Sequence, residues 1–212
     1  MGLLTSSQYQ SYLFLSSVII FEYVKDNKVN NFEFIMVLAS IIIGLGIAEL
    51  LQTTSKMLRG IAEKGILHIF WSICTLNQLV QYFWSSWRNI QSDWTYIELL
   101  LVILPTIILY LVSTLLSISK NQNDNLDAHF IEQRVPFFSL MMILVVLFTI
   151  NDYVFVEGDI SRNLIRGSVF AMFCFLAYSK NRILHIAGAV ILIVLQTIWI
   201  ANWSFSLSEI VA

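Results

Sequence analysis

Asn77, Gln78 and Gln81 are the residues most at odds with their surroundings. They sit near the middle of ILHIFWSICTLNQLVQYFWSSW (66–87), which is otherwise apolar. The stretch is long enough to cross a bilayer, since roughly 20 residues at about 1.5 Å rise cover a hydrocarbon core of about 30 Å. Amides facing lipid tails would leave their hydrogen bonds unmade. They can instead bind one another, line a solvated path or hold a polar solute. At about 100° per residue, Cys74, Asn77, Gln78, Gln81, Ser85 and Arg88 fall in one sector roughly 100° wide. Leu76, Leu79, Val80, Phe83 and Trp87 fall on the far side. The polar sector is expected to face other helices or water, which makes this the inner helix of a bundle. Gln196 and Asp152, both inside later apolar stretches, are its candidate partners. The first chemistry is therefore a pore or ligand path lined by Asn77, Gln78, Gln81 and Gln196, with Glu49 and Asp152 near its two mouths. Interhelical hydrogen bonding, at about 0.6 kcal/mol per pair, competes for the same residues.

A second constellation is formed by histidines. His68, His129 and His185 are expected on one side of the membrane, with Glu49 on that side and Asp127 and Glu132 flanking His129. Histidines and a carboxylate from several helices could hold a divalent metal, and two histidines could ligate a haem iron. No H-E-x-x-H spacing supports this, and ordinary interfacial hydrogen bonding competes. The expectation is no cofactor, with a metal or haem bound by His68, His129, His185 and Glu49 as the alternative. Cys74 and Cys174 lie within predicted spans and read as small buried apolar residues. No span carries a lysine suited to a retinal Schiff base. P-loop, G-x-G-x-x-G, G-x-S-x-G and T-V-G-Y-G patterns are missing too, so an enzyme with familiar machinery is not expected.

The elements that must position these groups follow from composition. The chain is 58% hydrophobic and 12% charged, with mean hydropathy +0.76. A soluble domain has about 25% charged residues. The expected fold is all-α, a polytopic membrane helical bundle of six transmembrane helices plus a short N-terminal interfacial or seventh helix. Residues 1–31 form the N-terminal region, where Glu22 interrupts the apolar run 12–24; residues 32–212 form the bundle. A cleaved signal peptide is not expected, because 12–24 lacks a positive flank and an A-x-A-like site.

The six spans are read at 34–51, 66–87, 97–117, 136–156, 165–178 (short, needing 160–166 to reach across) and 183–205. Ser40, Gly44 and Ala48 recur every four residues in the first, a stripe for close helix packing and one contact face for a homo-oligomer. Glu49 reads as a headgroup-level carboxylate. Pro105 predicts a kink in the third span. Pro136 is expected to open the fourth after a polar loop at 120–135. The fifth reaches across only with Arg166 snorkelling outward. His185, Ala189, Leu192, Gln196, Trp199 and Trp203 form one stripe on the sixth.

In this topology Lys56, Arg59, Lys64, Lys120, Arg134, Lys180 and Arg182 outnumber the cations on the opposite side, Lys25, Lys28, Arg88, Arg162 and Arg166. The positive-inside rule places loops 1–2, 3–4 and 5–6 in the cytoplasm. Trp84, Trp87, Trp94, Trp199 and Trp203 would form an aromatic belt on the other side. The expected partner is the lipid bilayer, and no basic run points to nucleic acid. At VLASIIIGLGIAELL (37–51) and LDAHFIEQRVPFF (126–138) the chain resembles a group of small bacterial multi-pass membrane proteins with no assigned activity. That resemblance implies a bacterial inner membrane and about six helices. Three functions compete: a channel or transporter for an ion or small solute, a non-transporting sensor or scaffold subunit, and a metal or haem protein.

Overall fold

Long apolar runs with few breakers make helices, and the computed structural model is all-helical among the residues it describes (31–59, 65–86, 94–117, 126–155 and 159–203). The helices are α1 (Asn31–Leu58), α2 (Ile66–Ser86), α3 (Tyr96–Leu115), α4 (Leu126–Phe155), α5 (Ile160–Tyr178) and α6 (Arg182–Trp203). The expected N-terminal helix at 12–24 lies outside the described residues.

Four helix starts show how the first free N–H groups are satisfied. Thr95 and Glu98 form a capping box at α3, with Glu98 N–H donating to Thr95 Oγ1 and Thr95 N–H to Glu98 Oε2. Asp159 Oδ1 accepts from Ser161 N–H at α5, and Asn181 Oδ1 from Ile183 N–H at α6. The start of α2 is capped from another helix. Asp127 of α4 accepts from Leu67 N–H at 2.9 Å and His68 N–H at 3.3 Å, and it also pairs with Arg182 at the start of α6. Gly65 makes this approach feasible, since a Cβ there would lie 2.6 Å from Asp127 Oδ1.

These contacts correct the expected start of the fourth span. Residues 126–135 are helical, and Pro136 lies inside α4 rather than opening it. Asp127 is held at α2, and Phe130 is buried against Trp71, so the helix extends to keep both in place. Likewise α1 runs on past 51 to Leu58, which makes Gln52 and Lys56 helical rather than part of a loop. Pro105 lies inside α3 without ending it.

Five helices, α1 and α3 to α6, are long and apolar enough to cross a membrane. The expected count was six. α2 has comparable length, 21 residues, but its amides, His68 and serines make it too polar to qualify. It nevertheless packs against four other helices, α1, α3, α4 and α6. The outward faces of the other helices carry large apolar side chains such as Phe34, Leu45 and Ile160. Polar solvent would disfavour so much exposed apolar surface, whereas a bilayer accepts it. The helical, apolar architecture is that of an integral membrane protein.

On α1 the inward face is Ile35, Ala39, Ile43 and Leu50, with Gly46 letting α3 and α2 approach; a Cβ there would lie 3.2 Å from Ser113 Oγ. Gly44 and Ala48 point the other way. A Cβ on Gly44 would meet nothing within 4 Å. Among the described residues, no helix packs against Gly44.

Candidate functional site

Gln196 on α6 is buried and meets the polar sector of α2. Its Nε2 donates to Gln78 Oε1 at 3.0 Å and Cys74 O at 3.3 Å. Its Oε1 accepts from Asn77 Nδ2 at 2.8 Å, and its backbone carbonyl accepts from Gln81 Nε2 at 3.2 Å. Gln196 thus meets three side chains that would be costly against lipid, two through its amide and one through its backbone carbonyl. At about 0.6 kcal/mol per bond, the four together contribute roughly 2 kcal/mol to holding α6 on α2. Four residues of the α6 stripe, His185, Ala189, Leu192 and Gln196, are buried. The side chain of Trp203 lies outside the described residues.

Beside this ladder is a partly open cavity of about 160 Å³. It exists because α5 packs along α4 and only lightly against α6, leaving a gap between α5 and α2. Gln78, Gln81, Ser85 and Ser86 of α2 and Gln196 of α6 supply polar wall; Met141, Leu144, Phe173 and Leu192 supply apolar wall. Asn77 hydrogen-bonds within the ladder but does not line the cavity, and Glu49 is remote from it. Glu49 Oε2 accepts from Ser117 Oγ at 2.7 Å, which joins α1 to α3.

At one end of the cavity sits a buried ionic cluster. Asp152 Oδ2 lies 2.9 Å from both Arg162 Nη1 and Arg166 Nη2. Asp159 lies 3.6 Å from Arg162 and is more exposed. Hydrogen bonds from Ser161, and secondarily the Arg162 charge, hold the Asp159 carboxyl below its usual pKa. Asn151 Nδ2 donates to Leu101 O, and Tyr82 Oη to Val102 O, tying this end to α3. Arg166 does not snorkel outward as its position suggested. It turns in, because a buried carboxylate is a stronger partner than a distant headgroup, and Trp199 packs 5.5 Å from its guanidinium carbon. Trp199 thereby lines the cavity rather than acting only as a belt residue. Arg166 Nη1 is buried and makes no hydrogen bond, and neither does Asn151 Oδ1.

The other end of the bundle is filled. Trp71 stacks on Phe130 at 5.9 Å and meets Phe137 and Phe138 edge-on at 5.4 and 5.0 Å. His185 stacks on Phe138 at 5.5 Å, and one ring nitrogen lies 2.9 Å from Ser179 O. His68 is fully buried within electrostatic reach of His129 and Asp127, and neither ring nitrogen makes a hydrogen bond. The residues proposed for a metal are therefore dispersed: His185 among aromatics, Glu49 on Ser117, and His68 near His129. Among the described residues no group of three or more histidines, cysteines and carboxylates converges on a metal position.

No protein family, curated protein or solved structure matches the chain, so the site's own chemistry must carry the functional reading. Sequence reasoning missed the two arginines. A signal was present. Asp152 lies seven residues before Asp159 and Arg166 seven after, so an antiparallel turn centred there brings them to the same depth. The cap by Asp127 had no such signal, since its partners are remote in sequence.

Proposed function

We propose that the protein binds a small solute in the cavity between α2, α4, α5 and α6 and passes it across the membrane. The observation that supports this reading is the cavity wall itself: Gln78, Gln81 and Gln196 line a space beside a helix that packs against four others. Enclosure is also why α2 would cross the bilayer despite its polarity, as polar residues in spanning helices face the bundle interior or an aqueous cavity. The cluster around Trp71 is then the closed half of the path, and passage requires α5 or α6 to move. The charge bias of the connecting loops favours the Asp127 end facing the cytoplasm of a bacterial inner membrane. The outward Gly44 and Ala48 stripe suits self-association.

The filled aromatic half favours a second reading, a sensor subunit that binds the solute without passing it. Proteoliposomes loaded in osmotic gradients of glycerol, urea and sodium acetate separate the two by light scattering. Flux above empty liposomes that falls on Gln78→Leu or Gln81→Leu supports passage. No flux for any solute, with folded protein in the bilayer, contradicts it.

A further inference from the structure

Arg162 and Arg166 share one oxygen of Asp152, so the carboxylate that pairs with Arg166 is divided between two guanidinium groups. Arg162 has a further carboxylate in Asp159, 3.6 Å away. Burying an uncompensated cation is costly, and such a group draws an anion when a site is open beside it. Arg166 lines the cavity, and its buried Nη1 lacks an acceptor. The same wall argues against a cation, because the Asp152 carboxylate is already engaged by two guanidinium groups.

We infer that the cavity takes a small organic monocarboxylate with an apolar body, its carboxylate on the Arg166 guanidinium and its body against Leu144, Phe148, Val169 and Leu192. Charge limits the ligand to a monoanion, since a dianion would press a second negative charge towards Asp152. Volume limits its size: an apolar cavity of about 150 Å³ accepts benzene, and this one is about 160 Å³. Trp199, packed on the guanidinium, fixes the plane in which the fork is offered. Gln78 and Gln81 supply polar wall for the carboxylate's second oxygen or its water. This inference rests on the cavity being the binding site, but not on passage of the ligand.

The test is direct binding of benzoate, with neutral benzamide as the isostere, to the full chain in lipid nanodiscs by isothermal titration calorimetry. Benzoate is expected to bind at least about tenfold more tightly than benzamide, as a charge-assisted bond implies. Arg166→Gln, which leaves Asp152 paired with Arg162, should remove that preference while benzamide binding stays. Arg166→Lys should restore part of it, which a merely structural role would not produce. Equal affinity for the two ligands, no binding of either, or a preference that survives Arg166→Gln overturns the inference. Displacement of benzoate by palmitate at equal or lower concentration overturns the small-ligand assignment in favour of a lipid carboxylate. Benzoate binding without flux removes the passage reading alone; flux with no preference for benzoate removes the carboxylate assignment alone.

Discussion

Asp127 and Asp152 sit near opposite ends of α4, and each is 7% exposed. Their surroundings make them different devices. Asp127 spends its oxygens on two N–H groups of α2 and on Arg182, and the space next to it is filled by Trp71, Phe130, Phe137 and Phe138. Asp152 gathers two arginines of one helix, and the space next to it is hollow. The first carboxylate fastens three helices together. The second fixes two cations beside a cavity and leaves one guanidinium nitrogen over. Burial of a charge does not by itself identify a site; the charge left unmatched, and the room beside it, does.

Removing each carboxylate should separate these roles. Asp152→Ala is expected to have the largest effect, about 3–5 kcal/mol, because buried Arg162 and part-buried Arg166 lose their common partner. Thermal unfolding in detergent would show it, and a shift no larger than that of a surface substitution would break the comparison. Asp127→Ala should cost less, about 2–3 kcal/mol, through the lost cap and two buried N–H groups left unpaired. Arg182 is half exposed and can turn to water, so its loss adds little. Gly65→Ala should reproduce part of this effect by pushing Asp127 off α2. Benzoate binding should survive both changes at the Asp127 end in the folded fraction.

Gln196→Leu comes next, at about 1–2 kcal/mol, since the backbone carbonyl still accepts from Gln81 and leucine refills most of the volume. The smallest effect is at Asp159. Its lowered pKa means the carboxylate favours the folded state at pH above the usual carboxylate value of about 3.9. That contribution fades as pH falls through the lower folded value. Asp159→Asn keeps the helix cap but loses the charge, so it should lower melting slightly at neutral pH, converge on the wild type in acid and flatten the melting-versus-pH curve below about pH 5.

Much of this was legible in residue order. The apolar runs locate α1 to α6 to within a few residues at most ends, and the polar sector of α2 and the stripe of α6 meet as their periodicities require. Lipid cannot satisfy an amide, so Gln78 and Gln196 had to face inward. Three things were not legible. The start of α4 depends on Asp127 meeting α2 and α6, contacts that no local pattern announces. Arg166 looked like an interfacial residue because its partner lies on another helix. α2 was counted with the other spans although its own polarity sets it apart; its place in the bundle comes from its neighbours, not from its hydropathy. The histidines shared an expected membrane side, which says nothing of whether their rings converge.

The central claim is that the bundle is open to water beside Asp152 and closed beside Asp127. In a chain carrying Cys74→Ala and Cys174→Ala, single Ser85→Cys and Ser72→Cys variants place one thiol in each half of α2. The account predicts that a charged methanethiosulfonate reagent labels Ser85→Cys quickly, that benzoate slows this labelling, and that Ser72→Cys reacts only on unfolding. Equal labelling rates at the two positions in folded protein would contradict it.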